Sequence, residues 1–427
     1  MARYINPDSG QGWEISLAGN VVTSHADDQQ ILTKTAPDAT RARTIFDAAI
    51  AQKRARGWIL EGDPIPDRPP EKPHAIRLRN PELEAEILED LDDDQPYRVY
   101  ADWLIEQGDV HGELIAEQLS GRTGDELIAA HREELFGDLF ELSEGRLSVT
   151  WRFGFIDRLR VEKLADSEDD DDRTLAEVIA AVLALPIGAF VRALSVGLGD
   201  GVEDGQCYYE PIWDVLPPAE CLREIFVGDW TEWEVSWCDA GSMSRVWQLP
   251  SLEQLTVRAG QMYVGEIASS TLRQLEFITG GMEAHNLQAI AAAPAACPEL
   301  RRLHVYCGSS GYGASGGVDD LMPLFDATSI TDLGVKNSEF TNSVCAVIGT
   351  RPIAGVVKAL DLSMGTMTSA GVASLVAARR AFRNLERLDV SRNYLTAADI
   401  DELRQLGCTV IADDQKTGDE RYVSLGE

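Results

Sequence analysis

Residues 385–395 read Leu-Glu-Arg-Leu-Asp-Val-Ser-Arg-Asn-Tyr-Leu. Leu385, Leu388 and Val390 are separated by two residues and then by one, and the last step is the alternation of a strand with one buried face. The same phrase recurs upstream at Ile156/Leu159/Val161, Val191/Leu194/Val196, Leu222/Ile225/Val227, Leu252/Leu255/Val257, Leu272/Leu275/Phe277, Leu300/Leu303/Val305, Ile330/Leu333/Val335 and Val357/Leu360/Leu362. First positions follow one another at steps of 35, 31, 30, 20, 28, 30, 27 and 28 residues. Helix-compatible stretches lie between copies at 174–185, 284–296, 318–325, 343–349, 369–381 and 397–406. Strand and helix repeated at such a period predict an α/β solenoid, with a parallel sheet lining its concave side and helices outside. Cys408-Thr-Val-Ile-Ala would add a closing strand.

This array resembles ribonuclease-inhibitor-like leucine-rich repeats. The likeness is clearest at 385–395, and it implies that the Asn393 side chain bonds the backbone of the turn. Most earlier copies lack such an Asn, so their turns should be less regular. Residues between and after the apolar positions should face the concave side, where both charge signs occur in similar numbers. A mixed face suits a specific protein partner better than a uniform polyion. The candidate protein-binding residues are Phe226, Trp230, Arg258, Arg302, His304, Tyr306, Lys336, Asp361 and Arg387. Five of nine tryptophans, Trp213, Trp230, Trp233, Trp237 and Trp247, fall in one stretch. The spacing of Trp230, Trp233 and Trp237 places them on one helical face. We read the group as local core beneath an enlarged loop, with Phe226 and Trp230 the exposed anchors.

Upstream, residues 13–24 alternate apolar and polar around Gly19-Asn20, a hairpin signal. A third strand at 31–35 and a helix capped by Asp38 would complete a small α+β domain over residues 1–61. Trp13-Glu14-Ile15, Gly19-Asn20, Thr33-Lys34-Thr35 and Lys53-Arg54-Ala55-Arg56-Gly57-Trp58 resemble a WGR domain. His25-Ala26-Asp27-Asp28 stands where that family has its naming Trp-Gly-Arg, and two aspartates there would repel phosphate. The fold therefore carries over and the nucleic-acid contact does not; Trp13 and Trp58 read as core. A proline-rich linker, 62–75, separates this domain from a helical region, 76–150. There Pro81 opens one helix, and Val99, Tyr100, Trp103 and Leu104 form the stripe of a second that ends at Gly108. Tyr100-Ala101-Asp102-Trp103-Leu104, Gly108-Asp109 and Gly112-Glu113 resemble the repeat-companion domain of myxobacterial and planctomycete repeat proteins. That resemblance implies a domain preceding an array, and 119–150 should cap the open end of the solenoid at 151–427.

The chain of 427 residues carries 38 Lys plus Arg against 71 Asp plus Glu, a formal charge of −33. Such a balance repels nucleic acid and draws basic protein surfaces. Seven scattered cysteines without a Cys-x-x-Cys pair read as reduced thiols. No signal core and no membrane-length apolar run occurs, so the cytoplasm is the expected location. Arg98, Asp102, Asp109, His111 and Glu113 cluster in sequence, but at no ligand spacing, and are expected to hold turns and caps. The glycine-rich stretches 197–205 and 308–317 lack a phosphate-loop pattern, and 167–172 lacks a calcium-loop pattern. No catalytic, cofactor-binding or metal-ligating residue is expected. The chain reads as a non-enzymatic adaptor, with an acidic inhibitor or immunity protein against a basic toxin or effector as the alternative.

Overall fold

The computed structural model describes residues 2–5, 12–26, 32–35, 39–55, 58–61, 78–163, 173–202, 206–216, 221–230, 235–418 and 420–426. The chain divides into two compact units, Met1–His74 and Ala75–Glu427.

In the first unit, strands β1 (Ala2–Ile5), β2 (Gly12–Ala18), β3 (Val21–Ala26), β4 (Leu32–Thr35) and β5 (Ile59–Leu60) form an antiparallel sheet in the order β4-β3-β2-β1-β5. Helix α1 (Ala39–Ala55) packs on it. The β2–β3 hairpin closes over Gly19 and Asn20, pairing Ala18 with Val21, and Gly19 takes a left-handed φ of 62°. Tyr4, Trp13, Ile15, Val22, Ala42 and Trp58 make the core. The Lys53 ammonium lies 4.2 Å from the Trp58 ring centre and 5.4 Å from that of Trp13. Asp27, Asp28, Asp38, Arg56, Gly57 and the linker fall outside the described residues.

The second unit opens with helices α2 (Pro81–Glu89), α3 (Gln95–Glu106), α4 (Val110–Leu119), α5 (Asp125–Ala130) and α6 (Arg132–Phe136). Asn80 Oδ1 caps α2 by accepting from the Glu82 and Leu83 amides, and Pro81 fits the first turn because it has no amide to satisfy. The buried stripe of α3 is Tyr97, Tyr100, Ala101 and Leu104. Val99, expected in that stripe, is 50% exposed. α4 covers Ala101 and Leu104, while Tyr97 and Tyr100 pack against Phe155 and bond Leu91 O and Glu84, so 97, 100, 101 and 104 form the buried stripe at helical spacing. Gly112 allows the approach: a Cβ there would stand 2.7 Å from Leu104 Cβ and 2.8 Å from the Ala101 carbonyl oxygen.

Residues 119–150 are not helical throughout. After α6 come two 3-10 turns, and then β6 (Leu147–Arg152) pairs antiparallel with β7 (Phe155–Val161). The chain reverses through Phe153 and Gly154, both left-handed at φ 50° and 78°. Two positive φ values suit a twisted hairpin, but Phe is not a residue that announces one. The array thus begins with a hairpin, not with a parallel strand.

The following strands are β8 (Ala193–Val196), β9 (Cys207–Tyr208), β10 (Glu224–Val227), β11 (Cys238–Ser242), β12 (Gln254–Arg258), β13 (Gln261–Tyr263), β14 (Gln274–Ile278), β15 (Arg302–Gly308), β16 (Asp332–Ser338), β17 (Ala359–Asp361), β18 (Arg387–Asp389) and β19 (Thr409–Ile411). One eleven-stranded sheet runs β19-β18-β17-β16-β15-β14-β12-β10-β8-β7-β6 and is parallel from β7 to β19. The second triplet positions stand side by side: Leu159, Leu194, Ile225, Leu255, Leu275, Leu303, Leu333, Leu360 and Leu388, then Val410. None of the 27 triplet residues is more than 7% exposed. Each buried Leu or Val contributes about 1.5–3 kcal/mol of transfer free energy, so the row is a continuous source of cohesion.

What backs the sheet changes along it. Helices α7 (Leu175–Ala184), α9 (Ala284–Ala296), α10 (Met322–Phe325), α11 (Thr341–Ile348), α12 (Ser369–Ala377) and α13 (Ala397–Leu403) lie where helix-compatible stretches were read, and α8 (Glu210–Val215) is short. Residues 228–250 hold two 3-10 turns and no α-helix among the described residues. Trp230 lies outside any described helix, Trp237 ends a 3-10 turn that β11 follows directly, and Trp233 falls outside the described residues. A second parallel ladder, β13-β11-β9, runs there instead.

The carboxyl-terminal segment turns back over the sheet. Lys416 N donates to Asn393 O at 2.7 Å, Ser424 N to Met364 O at 2.9 Å, and Leu425 N to Asn337 Oδ1 at 2.8 Å. Asn337 Nδ2 returns a bond to Leu425 O at 2.7 Å.

Candidate protein-binding face

The apolar face of the large sheet is covered by helices and loops in one core. The opposite face carries two in-register rows. One reads Arg158, Ala193, Glu224, Gln254, Gln274, Arg302, Asp332, Ala359 and Arg387; the other reads Arg160, Ser195, Phe226, Thr256, Glu276, His304, Gly334, Asp361 and Asp389. Directly opposed positions in adjacent strands lie close enough for their side chains to interact, and Arg302 with Asp332 and Glu276 with His304 do so by charge.

The candidate residues separate into two groups and an outlier. Phe226, Trp230 and Arg258 meet: the Arg258 guanidinium stands 5.7 Å from the Phe226 ring centre and 5.0 Å from that of Trp230, and donates to the Trp230 carbonyl. Trp230 is half-buried, and its indole N–H donates to Tyr209 Oη at 3.1 Å. The anchor expected to be free is thus tied on two sides. Trp237, further along the same stretch, is 43% exposed.

Arg302, His304, Tyr306, Lys336 and Asp361 meet around two carboxylates absent from the candidate set, Glu276 and Asp332. Arg302 pairs with Glu276 at 3.0 Å and with Asp332 at 3.4 Å. Lys336 lies 3.3 Å from Asp361, 3.9 Å from Glu276 and 4.6 Å from the Tyr306 ring centre. Arg302 also donates to His304 Nδ1 at 3.2 Å, which leaves Nε2 as the protonated nitrogen of a neutral ring, donating to Asp332 at 2.8 Å. His304 and Tyr306 are buried, at 5% and 8% exposure, unlike open contact residues. For His304 the cause is Gly334: a Cβ there would stand 2.6 Å from His304 Cγ, so its absence lets the imidazole lie flat against the next strand. Burial pulls the Lys336 ammonium down, but Asp361, Tyr306 and Glu276 outweigh it and raise it above the ordinary lysine value. Asp332, pushed up by burial, ends below the usual carboxylate range because His304 and Arg302 hold its ionised form. Arg387 stands apart, exposed, 3.3 Å from Asp389 on its own strand.

Arg158 pairs with Glu224 at 2.7 Å, and Arg160 with Asp229 at 3.1 Å. The face is therefore self-neutralised, and the surplus acid lies elsewhere.

The remaining sequence cluster does not converge. Arg98 pairs with Asp94 at 2.6 Å, the Asp109 side chain accepts from the His111 amide at 2.9 Å, and Asp102 and Glu113 are exposed. His111 is buried and its Nε2 bonds the Gly154 carbonyl at 3.0 Å, tying α4 to the opening hairpin. Among the described residues no three His, Cys, Asp or Glu side chains gather as a metal site would need. None of the seven cysteines is in a disulfide. No described helix is long and apolar enough to cross a membrane.

No family model and no curated protein matches the chain. Among solved structures, a structural-genomics target from Bacteroides fragilis aligns over 99% of this chain and 98% of its own, with 17% identity and a TM-score of 0.52. That is a likeness of fold alone. An internalin from Listeria monocytogenes aligns over 67% of this chain and 90% of its own, with 10% identity and a TM-score of 0.28.

Proposed function

We propose that the second unit is a leucine-rich-repeat solenoid acting as a non-enzymatic adaptor that recognises a protein on the open face of its sheet. The observation supporting this is the pair of in-register polar rows, whose cross-strand pairing fixes long side chains in place before any partner arrives. Preorganised groups lose less freedom on binding. In this reading residues 1–61 are a WGR-like module without nucleic-acid contact, 62–75 a linker, and 76–150 a companion domain capping the array at 151–427, in the cytoplasm. Charge reversal of Arg258, Arg302 and Lys336 together should abolish a pulled-down partner; undiminished capture by a folded variant would remove the open face from the account.

A second reading, an acidic inhibitor or immunity protein neutralising a basic toxin or effector, is favoured by the formal charge of −33. Its signature is association that weakens steeply between low and physiological salt. Binding indifferent to salt argues against it.

A further inference from the structure

Beside the small ladder, a cleft of about 560 Å³ opens between β11, β13, the turn after β14 and the turn after β15. Its polar lining differs in kind from the open face. Glu210, Asp239 and Glu283 contribute carboxylates, Tyr263 and Tyr312 contribute rings 55% and 45% exposed, and no Lys or Arg lines it among the described residues. Glu210 and Asp239 each accept one backbone amide, from Ser242 at 3.1 Å and Gly241 at 2.8 Å, while Glu283 lies 3.1 Å from His285. Gly241 lets Glu210 sit against the wall, since a Cβ there would fall 2.4 Å from Glu210 Cβ. An ionised carboxylate has about four acceptor sites, so one amide leaves most of its capacity unused. The first amide of α9, whose partial positive charge would oppose a cation, is already bonded, Ala284 N donating to Ser315 Oγ at 3.0 Å.

Tyr263 is also one wall of a neighbouring groove of about 680 Å³, floored by Ile267, Ala289, Ala292 and Ala296 with His285 at the side. The His285 ring lies 5.6 Å from that of Tyr263. Carboxylates with aromatic rings are the chemistry that holds ammonium or guanidinium groups, and the alanine-lined groove next door suits a short aliphatic side chain.

We propose that this pair of depressions binds a segment of a basic protein, with a Lys or Arg side chain in the acidic cleft and an adjacent aliphatic side chain in the groove over α9. The proposal rests on the protein-binding reading for the kind of partner, but assigns it to a different surface. The cleft is of a size that admits one long side chain and its backbone.

The test is fluorescence anisotropy at physiological salt with a labelled peptide of alternating arginine and leucine, and a twin with glutamate at each arginine. The whole chain should bind the first and not the second. The variant E210Q/D239N/E283Q keeps one acceptor oxygen on each side chain, enough for the Ser242 and Gly241 amides, and should raise Kd by about tenfold or more. E82Q/E86Q/E89Q removes the same charge from exposed sites on α2 and should change Kd by less than about twofold, since three of 71 carboxylates barely alter long-range attraction. Tyr263→Ala should weaken binding too, and circular dichroism melts report whether each variant is folded. No binding of the arginine peptide, or equal losses in the two acid triples, overturns the proposal. So does a loss confined to the exposed open-face variant R158Q/R387Q, which would return the partner to the sheet and leave the first reading standing.

Discussion

The two halves of the large sheet satisfy their turns with different side chains. In the carboxyl half, amides do it. Asn393 is fully buried, donates to Leu362 O at 2.8 Å and Val390 O at 3.0 Å, and accepts from Met367 N at 2.8 Å. Asn342 accepts from Thr368 N at 3.0 Å, and Asn337 holds the returning tail. In the amino half, rings do it. The Trp213 indole donates to Ala240 O at 2.7 Å, that of Trp247 to Val264 O at 2.8 Å, and the Tyr209 hydroxyl to Gly197 O at 3.0 Å. An indole offers one donor and no acceptor, whereas an amide offers both. Tryptophans can therefore satisfy carbonyls but leave backbone amides open, and the β9-β11-β13 ladder takes those amides up. Asn286 marks the border: it accepts from Val264 N at 2.9 Å and donates to Met262 O at 2.8 Å, closing the ladder where α9 begins.

The largest test of this contrast is Asn393→Ala. It strands several buried backbone groups at once, and each unpaired group costs about 1–3 kcal/mol, so a total loss of about 3–5 kcal/mol is expected in urea unfolding. A loss below 1 kcal/mol would mean that water replaces the amide, and the two halves would then not differ in the way described.

At the amino end the contrast depends on acidity. Burial holds the His111 imidazole down at about 4, with Asp109 and the Gly154 carbonyl pulling weakly the other way. Since the ordinary value is near 6.5, the unfolded chain binds the proton first as pH falls, so this group's contribution is present above 6.5, shrinks through the window and is gone below about 4. The difference is worth about 3 kcal/mol. Urea midpoints at pH 7 and 4.5 should fall further for the wild type than for His111→Gln; parallel falls would show that the ring is solvated.

Trp213→Phe removes one donor, keeps most of the apolar bulk and strands only the Ala240 carbonyl. About 1–2 kcal/mol is expected, measured in the same way. Its ratio to the asparagine effect puts the comparison into numbers.

Sequence periodicity reaches only part of this. The triplets were legible because every one buries its apolar residues and register follows from their alternation. The small ladder was not, because pieces such as Cys207-Tyr208 and Gln261-Met262-Tyr263 are too short to show a period. The tryptophan stretch read as local core beneath an enlarged loop, but spacing carries no trace of the indole–carbonyl bonds that Trp213 and Trp247 make between consecutive turns. On the open face, the alternation marks Arg302, His304 and Lys336 as outward. It does not disclose that Glu276 and Asp332 pair with them, since cross-strand neighbours 26 and 28 residues apart become visible only once register is known.

The smallest effect is the one most useful for function. Arg158 and Glu224 pair at 2.7 Å on the amino half of the face, with side chains 54% and 37% exposed. Exposed pairs contribute about 0–1 kcal/mol, so Glu224→Gln should leave the urea midpoint within error. Glu276 sits at 14% exposure between Arg302 and Lys336 on the carboxyl half, and its amide variant would leave two half-buried cations short of a counter-charge. A clear loss for Glu276→Gln beside none for Glu224→Gln would divide the face into a carboxyl portion whose charges maintain the sheet and an amino portion whose charges a partner can recruit without unfolding cost. Equal effects would make the whole face structural and shift the search for a partner to the acidic cleft.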